Sequence, residues 1–218
     1  VIQLIDLHTH TIFSDGEFLP SELVRHAVLH GYEAVAITDH ADHTNLEWLL
    51  EAAKKAKYLE EEWDIRVLSG VELTHVPPRK IAPLSKKAKE LGAEIVVVHG
   101  ETISEPVAPG TNSASVACEY VDILAHPGLI SEEDVQTAVD NNVLLEITTR
   151  NGHNRTNGHV ARLALEIGAT LVVNTDTHGP GNLITDETAL KIAMGAGLTE
   201  SRVKEAFEAS KKKVAEIV

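Results

Sequence analysis

Seven short apolar runs recur along the chain: QLIDLH at 3–8, AVAITD at 34–39, RVLSGVE at 66–72, EIVVVH at 94–99, VDILAH at 121–126, VLLEI at 143–147 and TLVVNTD at 170–176. Runs this short, rich in Val, Ile and Leu and without clean alternation, are how strands covered on both faces of a parallel sheet read. Between them the segments 20–30, 46–62, 82–91, 113–118, 132–141, 158–167 and 186–195 space their apolar residues near the helical period, and a last helix is expected at about 200–217. Pro20-Ser21-Glu22 and Ser131-Glu132-Glu133 are helix start signals, and Gly31, Gly92 and Gly168 fall where a helix-ending glycine belongs. Strand alternates with helix throughout, which implies parallel strands joined by right-handed crossovers. No repeat or linker interrupts the order, since the Gly/Pro/Ser-rich stretches 103–111 and 151–157 follow strands as loops. Residues 1–218 are therefore expected to form one domain, the default at this length.

The polar residues fall in a pattern of their own. His8 and His10 end the first run, Asp39 and His40 the second, Glu72 the third, His99 the fourth, His126 the fifth, and Asp176 and His178 the seventh, with Glu146 late in the sixth. In a β/α barrel these ends share one face, the face that carries active sites. Any one of them alone reads equally well as a cap or a surface histidine. Unrelated caps have no reason to be imidazoles on strand after strand, and so many polar groups at one mouth are costly to desolvate unless a metal cluster compensates them. His8 and His10, like Asp176 and His178, have the i, i+2 spacing that projects to one face of a strand. Such pairs at both ends of the barrel sequence place the first and last strands side by side, favouring a closed or nearly closed seven-stranded barrel over an open sheet.

Composition narrows the chemistry. Nineteen Lys and Arg against 33 Asp and Glu give a formal charge of −14, which argues against nucleic acid or an anionic membrane as partner. Twelve histidines beside a single cysteine restrict metal ligands to imidazole and carboxylate and exclude a disulfide within the chain. Cys118, in the helix-like VACEY, reads as a small buried apolar residue. No apolar run approaches the length of a bilayer span and no signal segment opens the chain, so a cytoplasmic protein is expected; the sequence starts at Val1, as a trimmed chain would.

The motifs DLHTHTIFSDG (6–16), AITDH (36–40), GVE (70–72), VVHG (97–100), AHPG (125–128) and NTDTH (174–178) occur in the order that resembles the PHP family, named for polymerase and histidinol phosphatase. The resemblance implies an α/β fold, a distorted (β/α)7 TIM-like barrel with a metal cluster at the C-terminal ends of its strands. It also implies phosphoester hydrolysis, with histidinol phosphate, nucleotides or nucleic acid ends as substrates in different members. Carried over residue by residue, it assigns one ion to His8, His10, Glu72 and Asp176, and a second to Glu72, His99 and His126, so that Glu72 bridges. A third falls to Asp15, His40 and His178. Members carry either histidine or an acid at the position of Asp15; the carboxylate makes that site harder, although Asp15 also reads as a turn residue in Ser14-Asp15-Gly16. Two to three divalent ions, Zn, Mn or Fe, are the implied cofactors.

With two ions sharing Glu72, the expected reaction is in-line attack on phosphorus by a metal-bridging hydroxide, and no Ser or Cys nucleophile is required. The loop TTRNGHNRTNG (148–158) offers Arg150 and Arg155 as phosphate contacts, because the guanidinium fork matches phosphate oxygens. Arg79 and Lys80 are weaker candidates. Asp39 and Glu146 are expected to orient ligands from the inner rim. His43, His75, His153 and His159 lie in loops beyond strand ends, where ligand-orienting or substrate roles arise, whereas His26 and His30 read as the solvated face of a helix. This loop and GETISEPVAPGTN (100–112) depart from the family's phosphatases, so the expected substrate is a small phosphorylated molecule, acted on by a phosphomonoesterase, without being histidinol phosphate in particular. An amidohydrolase-type metal hydrolase would want a strand-end lysine for carbamylation and an eighth strand; neither is visible, since Lys80 and Lys86 lie past the strand end. A non-catalytic or DNA-end-processing PHP domain is disfavoured by the competent residue at every ligand position and by the acidic charge.

Overall fold

Each apolar run contains a strand in the structure, a computed structural model that describes residues 4–217. The strands are β1 (Ile5–Thr9), β2 (Ala34–Ile37), β3 (His40–Ala41), β4 (Arg66–Leu73), β5 (Ile95–His99), β6 (Ile123–Ala125), β7 (Leu144–Thr148) and β8 (Leu171–Asn174). Gln3, where the first strand was expected to begin, lies outside the described residues. All pairings are parallel, in the order β1-β2-β4-β5-β6-β7-β8, with the two-residue β3 beside β4. Ile37 pairs with Ser69 and His40 with Glu72, so β3 continues β2 in register across Thr38 and Asp39. The seven-stranded expectation therefore holds, and the short β3 is the far end of the second strand.

Closure between β1 and β8 is partial. A single bridge joins Thr9 to Thr177, with the His10 N–H donating to the Thr177 carbonyl at 2.8 Å. Below it, side chains replace the backbone ladder: Leu7 N–H donates to Asn174 Oδ1 at 3.0 Å, while Thr175 donates its N–H to Asp6 Oδ1 at 3.2 Å and its hydroxyl to Asp6 Oδ2 at 2.5 Å. The result is a nearly closed, distorted (β/α)7 barrel.

Strand alternation sorts the core into two layers. Leu7, Ala36, Leu68, Val97, Ile123 and Val172 pack with one another inside the barrel, while Val35, Val67, Val96, Leu124, Leu145 and Val173 face outward to the helices. Burying each of the larger side chains stabilises the fold by roughly 1.5–3 kcal/mol. The helices are α1 (Pro20–Leu29), α2 (Leu46–Lys55), α3 (Leu59–Glu62), α4 (Pro78–Glu90), α5 (Thr111–Val116), α6 (Glu132–Asn141), α7 (Asn157–Ile167), α8 (Asp186–Gly195) and α9 (Glu200–Ala215). Val214 of α9 joins the inner apolar cluster and closes the lower end.

Three helices differ from expectation: α5 covers Thr111–Val116 instead of 113–118, so Cys118 lies beyond its end, buried as expected but not helical. The segment 46–62 is broken by a 3-10 turn at Ala56–Tyr58 into α2 and α3. The fourth helix starts four residues earlier than its apolar spacing suggests, because Pro78 at its first turn needs no backbone partner, and it tolerates Pro83 inside. Elsewhere the signals hold: Ser131 Oγ accepts the Asp134 N–H at the start of α6, and Gly168 takes φ +95° to end α7.

Candidate metal centre

The mouth of the barrel is built by small departures from regular strand. β1 carries one extra residue, since three steps from Asp6 to Thr9 face two steps from Val35 to Ile37 on β2. This bulge shifts the phase of the strand. Ile5 and Leu7 fill the apolar interior below it, and His8 and His10 both turn inward above it. Three of the four non-glycine residues with positive φ among the described residues also stand at the mouth: His75 (52°), His126 (25°) and Asp176 (52°). L-residues rarely hold that conformation, and strain of this kind gathers where side chains must be aimed. It also ends β8 at Asn174, two residues before the expected limit.

The innermost group is wholly buried. Glu72 Oε2 lies 3.3 Å from Nε2 of both His8 and His10, and its Oε1 lies 3.6 Å from His126 Nε2. Asp176 divides its oxygens in the same way, Oδ1 standing 3.2 Å from His10 Nε2 and 3.7 Å from His8 Nε2, and Oδ2 3.6 Å from His126 Nε2. Glu146 sits behind them. It accepts from His8 Nδ1 at 2.7 Å, from the His126 N–H at 3.2 Å and from Asn174 Nδ2 at 2.9 Å, which leaves His8 Nε2 pointed into the group.

A second cluster lies towards the rim. Asp15 Oδ1 stands 3.3 Å from His40 Nε2 and 3.1 Å from His178 Nε2, and the ring of His10 lies against those of both His40 and His178, at 4.2 and 4.1 Å between centroids. Asp39 fixes the loop that carries Asp15, accepting from Thr11 N–H at 2.8 Å, Thr11 Oγ1 at 2.7 Å and Ser14 Oγ at 2.6 Å. On the opposite side His99, His126 and His153 come together, and Glu105 lies 3.1 Å from His99 Nε2 and 3.4 Å from Nε2 of both His153 and His75.

Burial and charge pull against each other here. Burial raises the Asp176 carboxyl to about 7 despite the nearby imidazoles, and it pushes His10 and His126 well below the usual histidine range, helped by neighbouring imidazoles. For His8 the carboxylates of Glu72, Glu146 and Asp176 outweigh burial and hold it well above that range; His40, facing Glu72 and Asp15, is raised to about 10 in the same way. Glu72 is buried too, yet His8 and His40 hold it well below the ordinary carboxylate value. Hydrogen bonding from His99 is the chief cause of the fall of Glu105 to about 2.

Hydrogen bonding does not satisfy this group. Among the described residues His8 Nε2, both ring nitrogens of His10, both oxygens of Glu72, His126 Nδ1 and Asp176 Oδ1 are buried without a hydrogen-bond partner. Each such atom costs roughly 1–3 kcal/mol when left unmade. Imidazole nitrogens and carboxylate oxygens converging in this state are the donor set of a divalent cation, so the residues present fit a metal cluster.

All the sequence-nominated metal residues, His8, His10, Asp15, His40, Glu72, His99, His126, Asp176 and His178, converge at this mouth. Arg150 is half-buried beside it, donating from Nη1 to Asn182 Oδ1 at 3.1 Å, and the same oxygen accepts the His178 N–H. Arg155 is exposed and forms no hydrogen bond or ion pair among the described residues. His159 gives Nε2 to the Ile130 carbonyl and His30 gives Nδ1 to the His26 carbonyl, while His43 is exposed. Glu105 was missed by sequence reasoning, and His153 was left among unassigned loop histidines. Their signal was faint, an acid and a histidine inside the two loops that depart from the family pattern.

A β/α barrel with an imidazole and carboxylate cluster at its strand ends defines a metal-dependent hydrolase. The chain belongs to the PHP family, whose PHP domain profile matches residues 6–165, so that Asp176 and His178 join the cluster from beyond the matched stretch. It is 54% identical over 200 residues to an uncharacterized protein of Methanocaldococcus jannaschii, covering 91% of this chain and 92% of that one. It is 30% identical to the DNA polymerase/3'-5' exonuclease PolX of Bacillus subtilis over 90% of this chain and 38% of that one, and 25% identical to a probable phosphatase of a Thermoanaerobacter species over 97% of each. The crystal structure of a Lactococcus lactis histidinol phosphate phosphatase, complexed with zinc, L-histidinol and phosphate, shares the fold with a TM-score of 0.66 at 17% identity over 94% of both chains. The protein is thus a phosphoester hydrolase of a metal-dependent family. No helix among the described residues is long and apolar enough to cross a membrane.

Proposed function

We propose that the protein is a cytoplasmic, single-domain phosphomonoesterase acting on a small phosphorylated molecule with two or three divalent ions, Zn, Mn or Fe. The observation that carries this reading is the set of buried nitrogens and oxygens at the barrel mouth that point at one another without hydrogen bonds. His8, His10, Glu72 and Asp176 would hold one ion, Glu72 with His99 and His126 a second, and Asp15, His40 and His178 a third. Ions so held supply Lewis acidity and lower the pKa of water, the chemistry that phosphoester hydrolysis needs.

The chain's own groups set the geometry. Glu146 fixes the ring of His8, and Glu72 and Asp176 each turn one oxygen to His8 and His10 and the other to His126. Arg150 is placed to receive phosphate oxygens at the rim, where Asn182 ties it to the backbone of His178. Arg155 stands free in the same loop as a further contact for the anion. A small substrate fits the charge of −14 and the acidic mouth better than a polynucleotide, which wants a basic track.

A screen of sugar phosphates, amino-alcohol phosphates, nucleotides and DNA ends with Mn, Zn and Fe(II) tests the proposal. Release of inorganic phosphate from a small monoester is the expected result. Turnover of amides or lactones without phosphate release would overturn it, and activity confined to DNA ends would replace the small substrate by a nucleic acid.

A further inference from the structure

The loops after β5 and β7 bring one carboxylate and one imidazole to the mouth that the family resemblance does not assign. We propose that Glu105 and His153 add to the cation site of Glu72, His99 and His126, giving it three imidazoles and, beside the shared Glu72, an exchangeable carboxylate; this rests on the metal-dependent reading above.

His153 has the surroundings of a ligand rather than of a loop residue. One nitrogen from each of His99, His126 and His153 lies within 4.8 Å of the others, and all three residues are buried. The ring of His153 stacks on that of His126 at 4.3 Å between centroids and 19° between planes. Its Nδ1 lies 2.7 Å from Oγ1 of Thr102, a buried hydroxyl. With Nδ1 donating to that oxygen, the proton is fixed there and the lone pair of Nε2 faces Glu105 and His99, the usual arrangement of a metal-bound imidazole. The turn Gly152-His153-Asn154 supplies no other polar partner for Nε2 among the described residues.

Glu105 completes the set in a different way. Its Oε1 approaches His153 and its Oε2 approaches His99 and His75, so one carboxylate spans the gap between imidazoles that come from different strands. No Lys or Arg pairs with it among the described residues. Gly128 holds its loop in place: at φ +62° it packs against the Glu101 carbonyl oxygen so closely that any Cβ would collide. Yet Glu105 itself is 39% exposed, unlike the buried imidazoles around it.

With three imidazoles beside the shared Glu72 and the exchangeable Glu105, this set is richer in nitrogen and suits zinc, whereas the His8, His10, Glu72 and Asp176 group, with two imidazoles and two carboxylates, is harder. This site therefore prefers zinc over Mn or Fe(II). Glu105, being the exposed ligand, is the one that a substrate phosphate oxygen displaces, so the loop after β5 tunes substrate affinity.

The test uses the full chain stripped of metal and titrated with zinc, comparing wild type with His153→Ala and Glu105→Gln. Zinc per chain is counted by mass spectrometry of acid-released metal, and affinity is measured by competition with a chromophoric chelator. His153→Ala is expected to lose one zinc per chain or to weaken one by at least about tenfold, with Glu105→Gln weakening the same ion less. In the cobalt-loaded protein the visible absorption of one ion should change in His153→Ala. Glu105→Gln changes a half-exposed loop side chain and keeps the test open if His153→Ala does not fold. Wild-type zinc number and affinity in both variants would overturn the proposal and leave the phosphoesterase reading intact. A wild-type chain that binds no zinc, Mn or Fe(II) would overturn both.

Discussion

The two ends of the barrel handle acidic side chains in opposite ways. At the lower end the acids at the feet of the strands have cations of their own: Glu94 takes Lys57 at 2.7 Å, Asp122 takes Lys89 at 2.6 Å and Lys213 at 2.5 Å, and Glu60 takes Arg66 at 3.0 Å, while buried Asp6 at the seam is held by Thr175 instead. At the upper end Glu72, Glu146, Asp176, Asp15 and Glu105 face imidazoles, and among the described residues none pairs with Lys or Arg. The lower acids are neutralised within the polypeptide and serve the fold. The upper acids, some wholly buried, raise the energy of the metal-free protein until cations from outside compensate them. The contrast separates acids that stabilise from acids that wait for a ligand.

The sharpest way to break this contrast is Glu72→Ala. It should cut phosphatase activity at least about 100-fold and remove at least one ion per chain while the circular dichroism of the barrel is kept. Full activity with full metal content would erase the distinction. Glu146→Gln is milder, because His8 stays and loses only the anion behind it; metal affinity should fall by roughly 10–100-fold in a chelator competition. Unchanged affinity would make Glu146 a core polar residue with no part in aiming His8.

Glu94→Gln, at the lower end, should have the smallest effect. Burial raises the Glu94 carboxyl, but Lys57 and Ser69 outweigh it and leave the value below the usual carboxylate range. Its stabilising effect is thus present above the unfolded-state pKa and disappears as pH falls through the depressed one. Chemical denaturation should show a loss of less than about 1 kcal/mol near neutral pH, with variant and wild type converging as the pH falls below the ordinary carboxylate range. Zinc content should not change, and a change would couple the two ends.

Much of the mouth is legible in the sequence because the signals are local. A run such as EIVVVH gives both the strand and the side chain that ends it, and DLHTH gives two ligands on one face. The bulge in β1 is not legible, since Leu7 and His8 both facing inward contradicts simple alternation and depends on pairing with β2. The broken helix at Ala56–Tyr58 is likewise invisible in spacing alone, because α2 and α3 continue one apolar period. Glu105 carries no periodicity and no motif; only folding of the loop after β5 over His99 reveals it. Arg150 and Arg155 look equivalent in TTRNGHNRTNG, yet one is anchored at the rim and the other is exposed.

The seam between β1 and β8 has a mechanical meaning. Its contacts join residues 167 and 169 positions apart, through Leu7 and Asn174 and through Asp6 and Thr175, with little backbone ladder to share the load. Just above it, His8 and His10 from one strand meet Asp176 from the segment that follows the other. An ion held there would act as a removable cross-link, closing a loop of most of the chain and lowering the entropy of any state in which the barrel unzips. Such a protein would unzip first at this seam when chelated, so that metal supply governs not only turnover but how long the molecule resists proteolysis.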